Sequence, residues 1–237
     1  GVTRAAIAPD VLAEDDVREA VQLVHRRPRL LVVDGDPQNL SFGSETFYLE
    51  KAFAPGVGLG LDARITTLSE WTPKDIEGAA VVLLANVPDL SAERAAALRQ
   101  AVQRGTGLVV ALGNRVDQRA WNGSLAELLP ASLGLVSAPQ PAPTVAPGGA
   151  FDLPRVRVGT AFRLEPGPDA AVLSRLSDGT PWVVEATRGA GRVVLVATSL
   201  DRAWTDLPIS PWFLSFVREL VARAQPKGSA VALPSVV

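Results

Sequence analysis

Gly107-Leu108-Val109-Val110-Ala111-Leu112-Gly113-Asn114-Arg115 is the stretch whose reading decides the fold. Its apolar run is too short for a helix and lacks the alternation of a half-exposed strand. It reads as a strand buried on both faces, running into a sharp turn. In many α/β enzymes that turn carries the nucleophile. Here it falls among Leu112, Gly113 and Asn114, none of which is one. The chain has no cysteine, and its single histidine, His25, lies far upstream.

Similar runs flank this one. Arg29–Asp34 is apolar and β-branched and ends in Gly35-Asp36-Pro37, a central strand followed by a loop. Ser44-Glu45 opens a helix to about Phe53, with a capping hydroxyl and an acid in the first turn, and Pro55-Gly56 closes it. Leu61–Leu68 and Ala79–Asn86 read as further strands. Ser91–Arg104 is the clearest helix: Ser91 caps it, Ala95, Leu98, Ala101 and Val102 form its stripe, and Gly105 stops it. This β-α-β-α-β order predicts a parallel sheet with right-handed crossovers and helices on both faces.

Ser124-Leu125-Ala126-Glu127 has capping-box spacing and predicts a short helix toward Leu129. Residues 138–149 hold four prolines and a Gly pair, and read as an excursion outside the core. Ala171–Leu176 and Trp182–Thr187 flank Ser177-Asp178-Gly179-Thr180, a late β-hairpin, and Gly189-Ala190-Gly191 leads into the strand Val193–Thr198. Ser210-Pro211 predicts the start of a last amphipathic helix through Ala224. Within the first 28 residues, Val17, Ala20, Val21 and Val24 fit a helix while Val17, Val21 and Leu23 fit a strand. Periodicity does not choose.

A net charge of −2 gives no electrostatic ground for binding nucleic acid or an anionic membrane. The longest uncharged apolar run, Gly78–Pro88, falls short of the roughly 18–20 residues that span a bilayer, so direct membrane insertion is not expected. Without cysteine there are no disulfides or thiolate metal sites. Gly1 and the absence of methionine read as a soluble piece of a longer protein.

Two blocks carry a resemblance. One is Leu31-Val32-Val33-Asp34-Gly35-Asp36-Pro37 followed by Ser44–Ala52; the other is Val81–Val87 with Leu90-Ser91, then Ala197–Arg202 with Trp204–Pro208. In order and spacing, residues 29–225 resemble the class I glutamine amidotransferase-like domain of BatA-type bacterial membrane proteins. The resemblance implies a flavodoxin-like fold and an extracytoplasmic, periplasmic position in a membrane-anchored protein. Its partners would be other domains of that protein or envelope proteins. It also implies a preceding β-sandwich, of which residues 1–28 would be a remnant or linker, tipping that segment toward strand. Residues 226–237 would be a tail.

Working members of that class set a cysteine at the strand-to-helix elbow and a histidine near the last strand, because the reaction needs a thiolate and a proton shuttle. Gly113 is the likeliest match to the elbow, and Thr198–Asp206 holds no histidine. Asp34, Asp36, Asn86, Asn114, Ser199 and Asp201 are all expected at or beyond C-terminal strand ends, where open α/β sheets bind ligands. One reading is a pocket for a polar ligand or a hard cation. The other is that the carboxylates cap loops and the amides serve as turn residues. Gly56-Val57-Gly58-Leu59-Gly60 precedes a strand and so lacks phosphate-cradling geometry, and Ser41-Phe42-Gly43-Ser44 lacks a hydrolase elbow's glycines. His25, Arg26, Arg27 and Arg29 read as a solvated cluster. Trp204 either stacks a ligand or fills the place of the missing histidine, with Trp212, Trp71 and Trp121 as companions on such a surface.

The expectation is a non-catalytic amidotransferase-like scaffold or a ligand- or partner-binding module of the cell envelope, with no cofactor. A metal-assisted hydrolase using Asp34, Asp36 and Asp201 is one alternative. A carbohydrate- or peptide-binding domain built on the tryptophans is the other.

Overall fold

The computed structural model describes residues 2–6, 17–21, 27–38, 44–54 and 61–225. Its strands are β1 (Val2–Ala6), β2 (Val17–Val21), β3 (Arg29–Asp34), β4 (Asp62–Thr67), β5 (Val81–Ala85), β6 (Gly107–Ala111), β7 (Ala131–Ser137), β8 (Ala161–Pro166), β9 (Ala171–Arg175), β10 (Pro181–Arg188) and β11 (Gly191–Val196). The helices are α1 (Phe47–Phe53), α2 (Ala92–Gln103), α3 (Gln118–Ser124) and α4 (Phe213–Ala224).

Seven strands form the main sheet in the order β4-β3-β5-β6-β11-β10-β9. The first five run parallel, with Ile65, Val32, Leu83, Val109 and Val194 aligned in one row across them. β10 and β9 close the sheet antiparallel, as the late hairpin. β5 and β6 are buried throughout, because helices cover both faces. From β3 the chain crosses to β4 on one side, and from β5 to β6 on the other. Right-handed crossovers therefore put α1 and α2 on opposite faces. α4 joins the α1 face, where Tyr48 and Phe213 meet edge to face at 6.2 Å. Under α4, Phe216 stacks on Trp182 at 5.2 Å and packs against Phe151 at 4.9 Å. The fold is the flavodoxin-like one the sequence predicts.

Three local expectations change. Ser124 ends a helix instead of starting one: Asp117 caps α3 by accepting from the N–H groups of Arg119 and Ala120, and buried Trp121 anchors it. The last helix begins at Phe213, because the Ser210 hydroxyl donates to Leu207 O and so closes the preceding 3₁₀ turn, Leu207–Ile209. The proline-rich excursion is irregular but not outside the core. Val145 is buried and bridges to Leu176, and Thr144 bridges to Arg157.

The antiparallel pair β7–β8 has no counterpart in the sequence reading. Gly134 sits mid-strand in β7, where an added Cβ would lie 3.1 Å from Arg163 O; such a glycine weakens a strand signal. Near the N-terminus, β1 and β2 pair antiparallel, so the strand alternative holds at 17–21. His25, Arg26, Ser41–Gly43, Pro55–Gly60 and residues 226–237 lie outside the described residues.

Candidate functional site

The order of the strands puts a topological switch point between β3 and β5, and ligands of open α/β sheets bind in the crevice that such a point opens. Here the crevice is filled by the chain itself. Gly35 follows β3 and donates its N–H to Ala85 O at 2.8 Å. A Cβ on Gly35 would lie 2.2 Å from the backbone oxygen of Asn86. On the other side, a Cβ on Gly113 would lie 2.4 Å from the Asn86 side-chain carbon. The turn after β6 is therefore held against an asparagine, with no room for a side chain at residue 113.

Asn86 is wholly buried and takes a left-handed backbone, φ 51°, which asparagine tolerates better than most residues. Its Nδ2 donates to Glu45 Oε1 and to Asn114 Oδ1, both at 2.8 Å, and its Oδ1 accepts from the Arg115 N–H at 2.8 Å. Three hydrogen bonds thus tie the ends of β5 and β6 to the segment before α1.

Asp34 behaves as a loop cap. Its Oδ1 accepts from the Asp36 N–H at 2.9 Å, and its Oδ2 accepts from the Ser44 and Thr46 hydroxyls at 2.9 and 2.8 Å. Asp36 contributes that N–H, and its side chain stands at the partly exposed rim. Asp201 accepts from the Ser199 hydroxyl and, at 3.0 Å, from the Ala203 N–H, so it caps the loop after β11. The Thr198 hydroxyl donates to Thr160 O. Of the candidate residues, Asp34, Asn86, Gly113, Asn114, Ser199 and Asp201 share one edge. Trp204 turns to the small sheet and packs on Phe162 at 5.7 Å. Trp71 and Trp121 are fully buried, so neither joins an exposed surface.

The residue sequence reasoning missed is Glu45. Its place after Ser44 predicts the first-turn acid of a helix, yet α1 starts two residues later and Glu45 points inward, 2% exposed. Ser44 and Thr46, on either side, turn to Asp34, and Glu45 turns to Asn86. No sequence signal marks this, because the twist of that turn is set by a carboxylate ten residues upstream. Its Oε2 is buried without a hydrogen-bond partner. Burial, with the negative charges of Asp201 and Asp34 adding to it, raises the Glu45 pKa to about 8, against the opposing hydrogen bond from Asn86. At neutral pH this carboxyl is mostly protonated. Among the described residues no group of three His, Cys, Asp or Glu side chains is placed to hold a metal ion.

No family model matches the chain, and no curated protein matches it. Solved structures do. Cytoplasmic protein STM3548 of Salmonella typhimurium aligns with a TM-score of 0.67 at 13% identity, over 84% of this chain and 99% of that one. Cytoplasmic protein STM1381 of the same species gives 0.62 at 15% identity, over 83% and 99%. A ThuA-like protein of Bacteroides uniformis gives 0.58 at 15%, over 88% and 96%. These likenesses establish the fold.

They also correct the resemblance. These three neighbours are two cytoplasmic proteins and a ThuA-like protein, not BatA-type domains. The quoted blocks are strand ends and loop caps, which the fold's geometry asks for in any lineage. The extracytoplasmic, membrane-anchored position rested on that resemblance and falls with it, since two of the neighbours are described as cytoplasmic proteins.

Proposed function

We propose that this chain is a non-catalytic scaffold or ligand- or partner-binding module, its ligand edge converted into an internal polar lock. One observation carries the reading: at Gly113, the position matched to a nucleophile, an added Cβ would lie 2.4 Å from the Asn86 carboxamide. Supporting it, the hydroxyls of Ser44, Thr46, Thr198 and Ser199 are held in loop-closing hydrogen bonds to Asp34, Asp201 and Thr160 O, and Thr198–Asp206 holds no histidine to shuttle a proton. The metal-assisted alternative gains nothing from this arrangement, since Asp34 and Asp201 already serve as loop caps.

Among the described residues Glu45 is the one group with the pKa of an acid–base catalyst, which makes it the point of attack for a test. Purified protein is assayed against glutamine and chromogenic ester, amide, phosphoester and glycoside substrates, beside Glu45→Gln. No turnover above buffer is expected from either. Turnover by the parent protein that the substitution abolishes overturns the reading.

A further inference from the structure

The loop between β11 and α4 borders a groove separate from the polar lock. A cavity of about 590 Å³ shares Asp206 and Ile209 with a second of about 260 Å³. Half-buried Trp204 lies at one end and Trp212, 38% exposed, at the other, with Ile209 at 57% exposure in the shared stretch. An isoleucine and a tryptophan exposed within one concavity form the kind of patch that marks an interaction site.

The charge around this groove opposes that of the chain as a whole. Arg155, Arg157 and Arg202 line it, against Asp206. Arg157 is neutralised by Asp206, which accepts from its Nε at 3.0 Å and from its N–H at 2.8 Å. Arg155 and Arg202 have no acidic partner among the described residues. Two uncompensated cations thus flank an apolar strip in a protein of net charge −2.

We infer that the groove binds an extended acidic peptide segment carrying large apolar side chains: carboxylates to Arg155 and Arg202, and apolar groups over Ile209 between the two tryptophans. A neutral sugar fits poorly, because the groove's hydroxyls and carboxylate are already engaged and its two uncommitted side chains, Arg155 and Arg202, are cations that favour carboxylates. Thr205 donates to Arg157 O, Ser210 to Leu207 O, and Asp206 holds Arg157. Residues 226–237 are the wrong occupant by charge, having Lys227 and no acidic residue. The inference does not depend on the sheet edge being inert.

The test is selection from a displayed library of random dodecapeptides on the full chain, repeated on Ile209→Asp and Arg202→Glu. Both positions are exposed, so thermal midpoints of both variants should match the parent. Enriched peptides should combine Asp or Glu with Leu, Phe or Trp. Their affinity should drop about tenfold on I209D and about fivefold on R202E, the latter difference shrinking in 0.5 M salt. No enrichment, enrichment of basic peptides, or binding indifferent to both substitutions overturns the proposal. So does competition by an acidic polysaccharide that binds more tightly than the peptides, or a dimer that I209D dissociates, which would make a second copy the occupant.

Discussion

Among the described residues, Glu45 is the carboxyl whose pKa is raised, and it bears on stability above pH 4.5. Glu45 titrates near 8 in the folded chain and at its ordinary 4.5 when unfolded. Below pH 4.5 both states are protonated and no stability is lost. Between pH 4.5 and 8 the unfolded chain ionises first, so stability falls, and above 8 the loss levels off. At pH 7 the loss is on the order of 3 kcal/mol. Glu45→Gln should flatten that slope, raising the thermal midpoint at pH 8 and leaving it nearly unchanged at pH 4.5. A melt series across that range checks it, with Asp34 and Asp201, the carboxylates beside Glu45, as the groups to control for. Gly113 allows a sharper experiment. Gly113→Ala should cost ~3 kcal/mol, because its Cβ meets Asn86. In an Asn86→Gly background that cost should shrink by at least ~1 kcal/mol, read from a denaturant double-mutant cycle. At this scale the sequence was half legible. Strand-end positions told where Asp34, Asn86, Asn114 and Asp201 would gather. The loop-cap alternative also anticipates Asp34, whereas the bonds from Asn86 to Glu45 and Asn114 join separate loops and leave no local pattern.

Elements were easier to read where one segment holds its own signals. α2 begins where Ser91 predicts, with the serine accepting from the Arg94 N–H. Ser91→Ala should lower stability by ~1 kcal/mol, measured by denaturant unfolding. α4 kept its stripe but lost its expected cap, since Ser210 serves the preceding turn. Its anchor is Phe216, between Trp182 and Phe151, and Phe216→Ala should cost ~4 kcal/mol. α3 and the β7–β8 pair went unread. Asp117 is one polar residue among several in a loop, and β7 is interrupted by Gly134 and a register shift between Leu133 and Val136, which breaks its period.

At the level of the whole molecule, the parallel order of the first five strands followed from alternating buried runs and helices, and that much needed no structure. The lineage did not follow, because loop caps and strand ends recur wherever this sheet is built. The boundary read near residue 29 predicts that removing residues 1–26 shifts the thermal midpoint of the remainder by less than ~2 °C, checked by calorimetry on the shortened chain. The interlock of Gly35, Asn86 and Gly113 has a last consequence, for anyone hoping to engineer chemistry into this scaffold. Installing a thiol at the elbow first requires emptying residue 86, which unfastens Glu45, Asn114 and the Arg115 backbone together. The route to a thiol at residue 113 therefore runs downhill in robustness first, so a library that changes one position at a time will not find it.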